Sequence, residues 1–181
     1  MSWSRIARRI RVPLGFVFAA VYLWLAQPTW GSLLLGALIA APGIALRALA
    51  AGHVRKNAEL TTTGPYAYTR NPLYLGSIII AIGFAVAARS WVIAVLLLVM
   101  FAAIYVPVIR SEENFLRSQF PGFDEYARSV PRLLPRLRPA RTSEVAFSRE
   151  RYLRHREYNA LVGSVLMLIA LVVKLVWFSN V

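Results

Sequence analysis

The chain has 181 residues, 58% hydrophobic and 16% charged, with 21 Lys+Arg against 8 Asp+Glu for a net charge of +13. That apolar content exceeds what a soluble domain carries and points to a bilayer as solvent. With no cysteine, disulfides, thiolate nucleophiles, cysteine zinc sites and iron–sulfur clusters are excluded together, and two histidines, His53 and His155, do not make a histidine metal cage, so no metal site is expected.

Four arginines, Arg5, Arg8, Arg9 and Arg11, precede an uncharged run over residues 12–46. As a helix this run would extend about 52 Å at roughly 1.5 Å per residue, far beyond one hydrocarbon thickness. The string Gln27-Pro28-Thr29-Trp30-Gly31 breaks it with a polar turn and an interfacial aromatic, which predicts two short spans at about 12–27 and 30–48. Trp24-Leu25-Ala26-Gln27 lacks the small residue that a signal-peptide cut requires, and a second span follows at once, so an uncleaved anchor is expected. Arg47 is read as snorkelling from the end of the second span. A second hairpin is predicted at about 72–88 and 90–109, interrupted only by Arg89. A fifth span is predicted at 158–178, where Lys174 followed by Trp177 suits a side chain reaching the far interface. The expected fold class is all-α integral membrane: a bundle of five transmembrane helices in a single domain over residues 1–181, with its connecting segments carrying the site.

The basic residues set the orientation. All but Arg89 and Lys174 fall in the N-terminus, the second connection and the long fourth connection, which places those segments in the cytoplasm and the C-terminus on the opposite side. All eight acids fall on the cytoplasmic side as well, so charged chemistry is expected there. The +13 is thus mostly topology. Segment 132–156 is read as a strip on anionic lipid and not as a nucleic-acid site, because its basic residues lack aromatics interleaved at a repeating spacing.

No ionisable residue lies near the middle of a span, and five short spans offer no equal halves, so the sequence does not read as a transporter. No two glycines fall as Gly-x-Gly, and there is no P-loop, Gly-x-Ser-x-Gly or His-Glu-x-x-His. Catalysis would need something other than a nucleophile or a metal.

Two clusters at the cytoplasmic edge carry polar chemistry. The first runs Thr63-Gly64-Pro65-Tyr66-Ala67-Tyr68-Thr69-Arg70-Asn71-Pro72-Leu73-Tyr74-Leu75-Gly76, with a turn at Gly64-Pro65 and Asn71-Pro72 as cap and first helical turn. One reading is an interfacial helix entry with an aromatic belt and an arginine anchor. The other is a binding set, since three tyrosines with Arg70 and Asn71 bring π faces, donors and a fixed cation to the mouth of the bundle. The second cluster is Ser111-Glu112-Glu113-Asn114 followed by Phe120-Pro121-Gly122-Phe123-Asp124-Glu125-Tyr126. Its adjacent acids either pair with Arg110 and Arg117 or, lying about 100° apart on a helix, present one carboxylate to the bundle. A carboxylate opposite Arg70 is what an amino-acid-like ligand requires.

In order and spacing, Gly64-Pro65-Tyr66, Arg70-Asn71-Pro72-Leu73-Tyr74-Leu75-Gly76, a helical hairpin, Glu112-Glu113, Tyr126 and Val130-Pro131 resemble the integral-membrane methyltransferases related to isoprenylcysteine carboxyl methyltransferase and to phospholipid methyltransferases. The match covers about residues 45–136 and leaves the fifth span outside. Asn71, where the carboxyl methyltransferases carry histidine, is more similar to the phospholipid amine branch. The resemblance implies S-adenosylmethionine bound at the cytoplasmic mouth by Gly64, Tyr66, Tyr68, Arg70, Pro72, Tyr74, Gly76, Glu112 and Glu113. It also implies a catalytic role for Arg70 and Asn71, with Asn71 orienting the acceptor. The implied acceptor is a lipid or prenylated substrate from the bilayer, either a phospholipid amine or an isoprenylcysteine carboxylate.

Such an acceptor would enter between the third and fourth spans, where Gly76, Ser77, Ala81, Gly83, Ala85 and Ala88 keep one helix slim and Pro107 kinks the other; ordinary helix packing is the alternative use of those small residues. A helix beginning at Ser111 would oppose an ammonium at the Glu pair, whereas a fourth span continuous through Glu113 would not. Two other classes remain in play: a nicotinamide-dependent membrane reductase of related bundle, and a noncatalytic lipid-binding scaffold.

Overall fold

The computed structural model describes residues 15–55, 58–140 and 145–179. The start of the predicted first span and its four arginines lie outside these. The described residues are helical throughout their regular structure, with no strand among them. Helix α1 covers Gly15–Leu25. It is followed by α2 (Trp30–His53), a 3-10 turn (Gly64–Ala67), α3 (Pro72–Ala88), α4 (Trp91–Met100), a π turn (Phe101–Tyr105), α5 (Val106–Gln119), α6 (Phe123–Ser129), α7 (Arg149–Arg154) and α8 (Tyr158–Ser179).

Among the described residues three helices are long and apolar enough to cross a membrane: Trp30–His53, the continuous rod Trp91–Gln119 and Tyr158–Trp177. The chain is an integral membrane protein. Helices α1 and α3 are apolar but shorter; at 17 residues α3 rises about 26 Å, slightly under a ~30 Å hydrocarbon core. In their described residues the five predicted apolar segments therefore each contain a helix, and there length and composition qualify three of them as spans.

The predicted break between the first two spans is a four-residue turn closed by Thr29. Its hydroxyl accepts from Ser32 N–H (3.2 Å), while the Ser32 hydroxyl accepts from Thr29 N–H (2.9 Å). This reciprocal pair satisfies amides that the first turn of α2 would otherwise leave open. The fourth apolar helix differs from expectation at its end. It does not stop near residue 109 but runs on to Gln119, so Glu112 and Glu113 sit inside a continuous helix and the dipole conflict does not arise. The proline in this rod is accommodated by the π turn just before it, where Val106 N–H reaches Phe101 C=O. Pro107 has no N–H to give and its ring crowds the preceding turn, which the wider π geometry relieves.

Helices α2 and α3 pack antiparallel on glycines. Gly36 faces Gly83, and Gly43 faces Gly76. A Cβ at Gly36 or Gly83 would lie 2.5 Å from the other's carbonyl oxygen, and one at Gly43 or Gly76 2.7 Å from its opposite number's. The seven-residue spacing in both helices keeps the two contacts on one seam, a small-residue crossing of the kind membrane helices use where lipid offers no hydrophobic drive. Polar locks flank the seam. The Ser32 hydroxyl donates to Ala87 C=O (3.0 Å) at one end, and Arg47 donates to Leu73 C=O (3.1 Å) and to the Ser77 hydroxyl at the other. Arg47 also pairs with Glu157 (2.5 Å), the residue before α8, so it is held inside the protein and does not snorkel outward.

At the opposite end Tyr22, Ala26, Leu33, Ala87, Ala88, Ile93 and Leu171 form one core joining α1, α2, α3, α4 and α8. Lys174 does not simply reach for the interface. Its ammonium donates to Leu23 C=O (2.6 Å) and Trp24 C=O (3.0 Å), carbonyls that the last turn of α1 leaves without helical partners.

The seam makes a sharp stability prediction. Gly83→Val places carbon against the Gly36 carbonyl, which is backbone and cannot rotate away, so the helices must separate. Thermal unfolding in detergent is expected to show a loss of about 1–3 kcal/mol, whereas Gly122→Ala, with open space at its Cβ position, should leave the midpoint unchanged.

Candidate functional site

The two clusters meet at one end of the bundle because α3 begins where α5 ends. The 3-10 turn places the first cluster. Gly64 adopts φ +57°, and the space a Cβ would fill there is taken by the His53 imidazole at the end of α2. The following segment is fastened to the 131–140 strip by backbone bonds: Arg70 N–H to Pro131 C=O (2.9 Å), Arg136 N–H to Tyr68 C=O (3.0 Å) and Ala140 N–H to Ala67 C=O (2.9 Å). The Thr69 hydroxyl lies 3.2 Å and 3.1 Å from the Arg132 and Leu133 carbonyls. The Tyr126 hydroxyl donates to Tyr66 C=O (2.8 Å), bringing α6 onto the same segment.

Glu113 is the hub of this arrangement. It is 4% exposed. Its Oε1 accepts from Asn71 Nδ2 (3.1 Å) and lies 3.5 Å from Arg70 Nε, while Oε2 accepts from Arg132 Nε (3.0 Å) and pairs with Nη2 (2.8 Å). Hydrogen bonding to this carboxylate raises the Arg132 pKa above its ordinary value. Asn71 Nδ2 also donates to Arg132 C=O (3.0 Å), so the amide group is fully committed while Oδ1 makes no hydrogen bond among the described residues.

Beside this hub lies a cavity of about 270 Å³, close to the lower end of small-molecule sites, which begin near 300 Å³. Six of the sequence-selected residues line it: Tyr66, Arg70, Asn71, Pro72, Tyr74 and Glu112. The others stand elsewhere. Glu113 lies behind the wall with its oxygens engaged as described, and Tyr68 is exposed on the strip side. Gly64 packs on His53, and Gly76 packs on Gly43 and Arg47 in the α2–α3 seam. Both glycines therefore make close protein contacts.

Tyr126, named in the sequence only as a motif residue, pins Tyr66, and Arg55, Glu59 and Thr61 from the loop after α2, which the sequence did not single out, also line the cavity. Tyr126 stood in the quoted motif, but the loop carried no pattern of its own. Arg132 was read only as part of a lipid-facing strip, yet it is an internal partner of Glu113.

Glu112 points a carboxylate to the cavity and accepts from the Tyr74 hydroxyl (3.0 Å). Tyr74 in turn meets Tyr105 edge to face (5.6 Å), and Tyr105 stacks on Phe101 (5.6 Å), so an aromatic file runs from the cavity to the start of the π turn. Arg70 also lines the cavity, and its Nε is buried without a hydrogen-bond partner, its contact with Glu113 being an ion pair only. A buried donor left open in this way is costly unless a ligand atom meets it. A carboxylate, a guanidinium and three tyrosines lining one cavity suit a zwitterionic ligand that carries a further positive charge. S-adenosylmethionine is such a ligand, so the residues present fit it. Among the described residues no His, Asp and Glu side chains are grouped to hold a metal ion.

Fold and site together define an all-helical membrane protein with a zwitterion-sized polar cavity at one end of its bundle. Residues 38–122, which contain the first cluster and the Glu112-Glu113 pair, match the phospholipid methyltransferase family. The nickel-cobalt-cadmium resistance protein NccN of Alcaligenes xylosoxydans xylosoxydans is 45% identical over 83 residues, 46% of this chain and 39% of its own length. The cobalt-zinc-cadmium resistance protein CzcN of Cupriavidus metallidurans is 43% identical over 83 residues, 46% of this chain and 38% of its own length. The match thus spans about two-fifths of these curated relatives. No solved structure matches the chain significantly.

The two acids separate by role. Removing the charge of buried Glu113 strands the largely buried Arg70 guanidinium, so Glu113→Gln is expected to cost about 3–5 kcal/mol in thermal unfolding. Glu112→Gln, at an exposed position, should change stability by less than about 0.5 kcal/mol. Burial raises the pKa values of Tyr66 and Tyr126 above the ordinary 10. The stability those neutral hydroxyls support is complete below pH 10 and is lost as pH rises through their folded values. A base titration followed by circular dichroism should therefore hold flat to pH 10 and fall only above it.

Proposed function

We propose that the protein is an S-adenosylmethionine-dependent membrane methyltransferase acting on a lipid or lipid-linked acceptor, a phospholipid amine or an isoprenylcysteine carboxylate. The observation that carries this reading is that Glu112 and Arg70, with its open Nε, line one cavity with tyrosines, both within the segment that matches the phospholipid methyltransferase family.

In this reading Glu112 receives the ligand's ammonium, Arg70 its carboxylate, and the faces of Tyr66 and Tyr74 the positive sulfur. When bound, S-adenosylmethionine supplies a methyl group on a cationic sulfur, which an acceptor takes directly. The protein then needs no nucleophile or metal, only a dry pocket and alignment. Asn71, held rigid through Nδ2, presents Oδ1 to the acceptor head group. The acceptor's tail remains in the bilayer and reaches the cavity along α3 and the α4–α5 rod.

The excess of basic residues at the cavity end supports a cytoplasmic active site, with the C-terminus on the other side. Leu134 and Leu137 stand almost fully exposed among the arginines of the strip, which supports contact with the anionic inner leaflet over 132–156. A nicotinamide reductase would need cations for several phosphates, and among the described residues Arg55 and Arg70 are the cations that line the cavity.

Calorimetric titration of the detergent-purified protein with S-adenosylmethionine, and separately with NADPH, tests the reading. Saturable heat with the former alone is expected, weakened about 10- to 100-fold by Glu112→Gln, the loss of one charged hydrogen bond. No heat with S-adenosylmethionine from folded, monodisperse protein, or saturation by NADPH instead, would overturn it.

A further inference from the structure

A second cavity, of about 350 Å³, lies between α1, α3, the α4–α5 rod and the first half of α8, with Arg47 of α2 at one end. No described residue lines both it and the cavity beside Glu113. Its lining changes character along its length. On each of three elements a polar lining residue is followed, two turns away, by an apolar one: Ser77 and Phe84 on α3, Tyr105 and Leu97 on the rod, Asn159 and Met167 on α8. Steps of seven or eight residues correspond to about 10–12 Å of helix. Phe84, Leu97 and Met167 all pack on the apolar core shared by the helices, whereas Ser77 bonds to Arg47. Asn159 stands in the first turn of a helix long enough to span the membrane, which puts the polar end at interfacial depth and the apolar end toward mid-bilayer.

Several polar groups of this lining are left open. Arg47 is paired with Glu157, yet its Nε is buried without a hydrogen-bond partner. Ser164 is 7% exposed, and its hydroxyl makes no hydrogen bond among the described residues; nor do the Tyr105 hydroxyl and the Asn159 side chain. Open donors are costly when buried, and hydrocarbon around them offers no substitute partner. An oxygen atom on a bound molecule would meet them.

We propose that this cavity binds a single-chain lipid alcohol, with its oxygen at the Arg47, Tyr105 and Asn159 end and its chain along Phe84, Leu97 and Met167. The order of polar and apolar ends is that of a lipid in the same leaflet. Charge decides the head group. Since Glu157 already balances Arg47, an ionised head would bring an uncompensated charge to membrane depth, whereas a hydroxyl meets the open groups without one. Size decides the chain: the volume is near the lower bound of small-molecule sites, which suits one hydrocarbon chain and not two. A protein helix, about 10 Å across, is too wide. Water would satisfy the polar end but not the apolar length. The site is separate from the proposed methyl-transfer cavity and stands whether or not that reading holds.

The test uses the full chain in phosphatidylcholine nanodiscs and oleyl alcohol carrying a mid-chain diazirine, with the cross-linked peptides mapped by mass spectrometry. Labelling should saturate on peptides carrying Phe84, Leu97 or Met167 and be competed by plain oleyl alcohol. Oleylamine and oleic acid, ionised but with the same chain, should need about tenfold more to compete, the effect of an unbalanced charge at this depth. Gly163 lines the cavity and has open space at its Cβ position, so Gly163→Leu fills the site without striking protein atoms and should cut labelling about tenfold. Gly31→Leu, equally open but outside the cavity, should leave it unchanged. Tyr105→Phe keeps the ring and removes the hydroxyl, and should weaken competition by the alcohol about three- to tenfold, the loss of one neutral hydrogen bond. Labelling that does not saturate, equal competition by the three heads, tighter competition by the amine or the acid, or labelling that survives Gly163→Leu would each overturn the proposal.

Discussion

A buried carboxylate holds the working end of this molecule together. Glu113 sits on α5, yet it bonds to the entry of α3 through Asn71 and Arg70 and to the extended strip through Arg132. A small apolar core of Phe123, Tyr126 and Val130 with Leu116 and Ala140 lies beside these segments, but apolar contact is not directional. A charge with several hydrogen-bonding partners is, and its burial makes every alternative arrangement expensive. The cavity beside it inherits that precision. Arg70 and Asn71 line the cavity and also grip Glu113, so the wall and its anchor are the same residues.

Rigidity of the other wall comes from backbone contact. The Gly36–Gly83 and Gly43–Gly76 pairs bring α2 and α3 so close that neither can slide without meeting a carbonyl. Since α3 starts with the Asn71-Pro72 entry, its register against α2 decides where Tyr74 stands relative to Glu112. The α4–α5 rod fixes the partner side, and the π turn within it sets the helical phase at which Glu112 and Glu113 diverge, one toward the cavity and one toward the hub. The file Phe101, Tyr105 and Tyr74 links that turn to the cavity directly.

Much of this was legible in the sequence. Uncharged runs, the Gln27–Gly31 break and the Asn71-Pro72 entry located the helices because hydrophobic length and turn chemistry are local properties. The clusters themselves were legible because tyrosines, an arginine and paired acids at a membrane edge are compositionally unusual. What stayed hidden was facing. Nothing local states that Gly64 gives way to His53, that Gly76 belongs to a seam with Gly43, or that Glu113 turns inward to Arg132, since each depends on a residue at least 11 positions away. The continuation of the fourth apolar helix past residue 109 escaped for a different reason: its last turns are charged, so hydropathy ends before the helix does.

The attachment of α8 follows from the same physics at lower density. Most of this helix faces outward, and it lies beyond the family-matched segment, so shared apolar surface can secure only part of it. Leu171 enters the common core. Two charged side chains complete the docking from opposite ends: Arg47 of α2 pairs with Glu157 at the foot of α8, and Lys174 near its top caps the carbonyls of α1. In a hydrocarbon setting such contacts weigh more than equal area of apolar packing, because lipid competes for the latter and cannot offer the former. Arg47 is shared between this clasp and the α2–α3 seam, through Leu73 and Ser77 at the start of α3. The last helix is thereby coupled to the entry of α3, and through it to the wall of the cavity, although none of its own residues reaches that far.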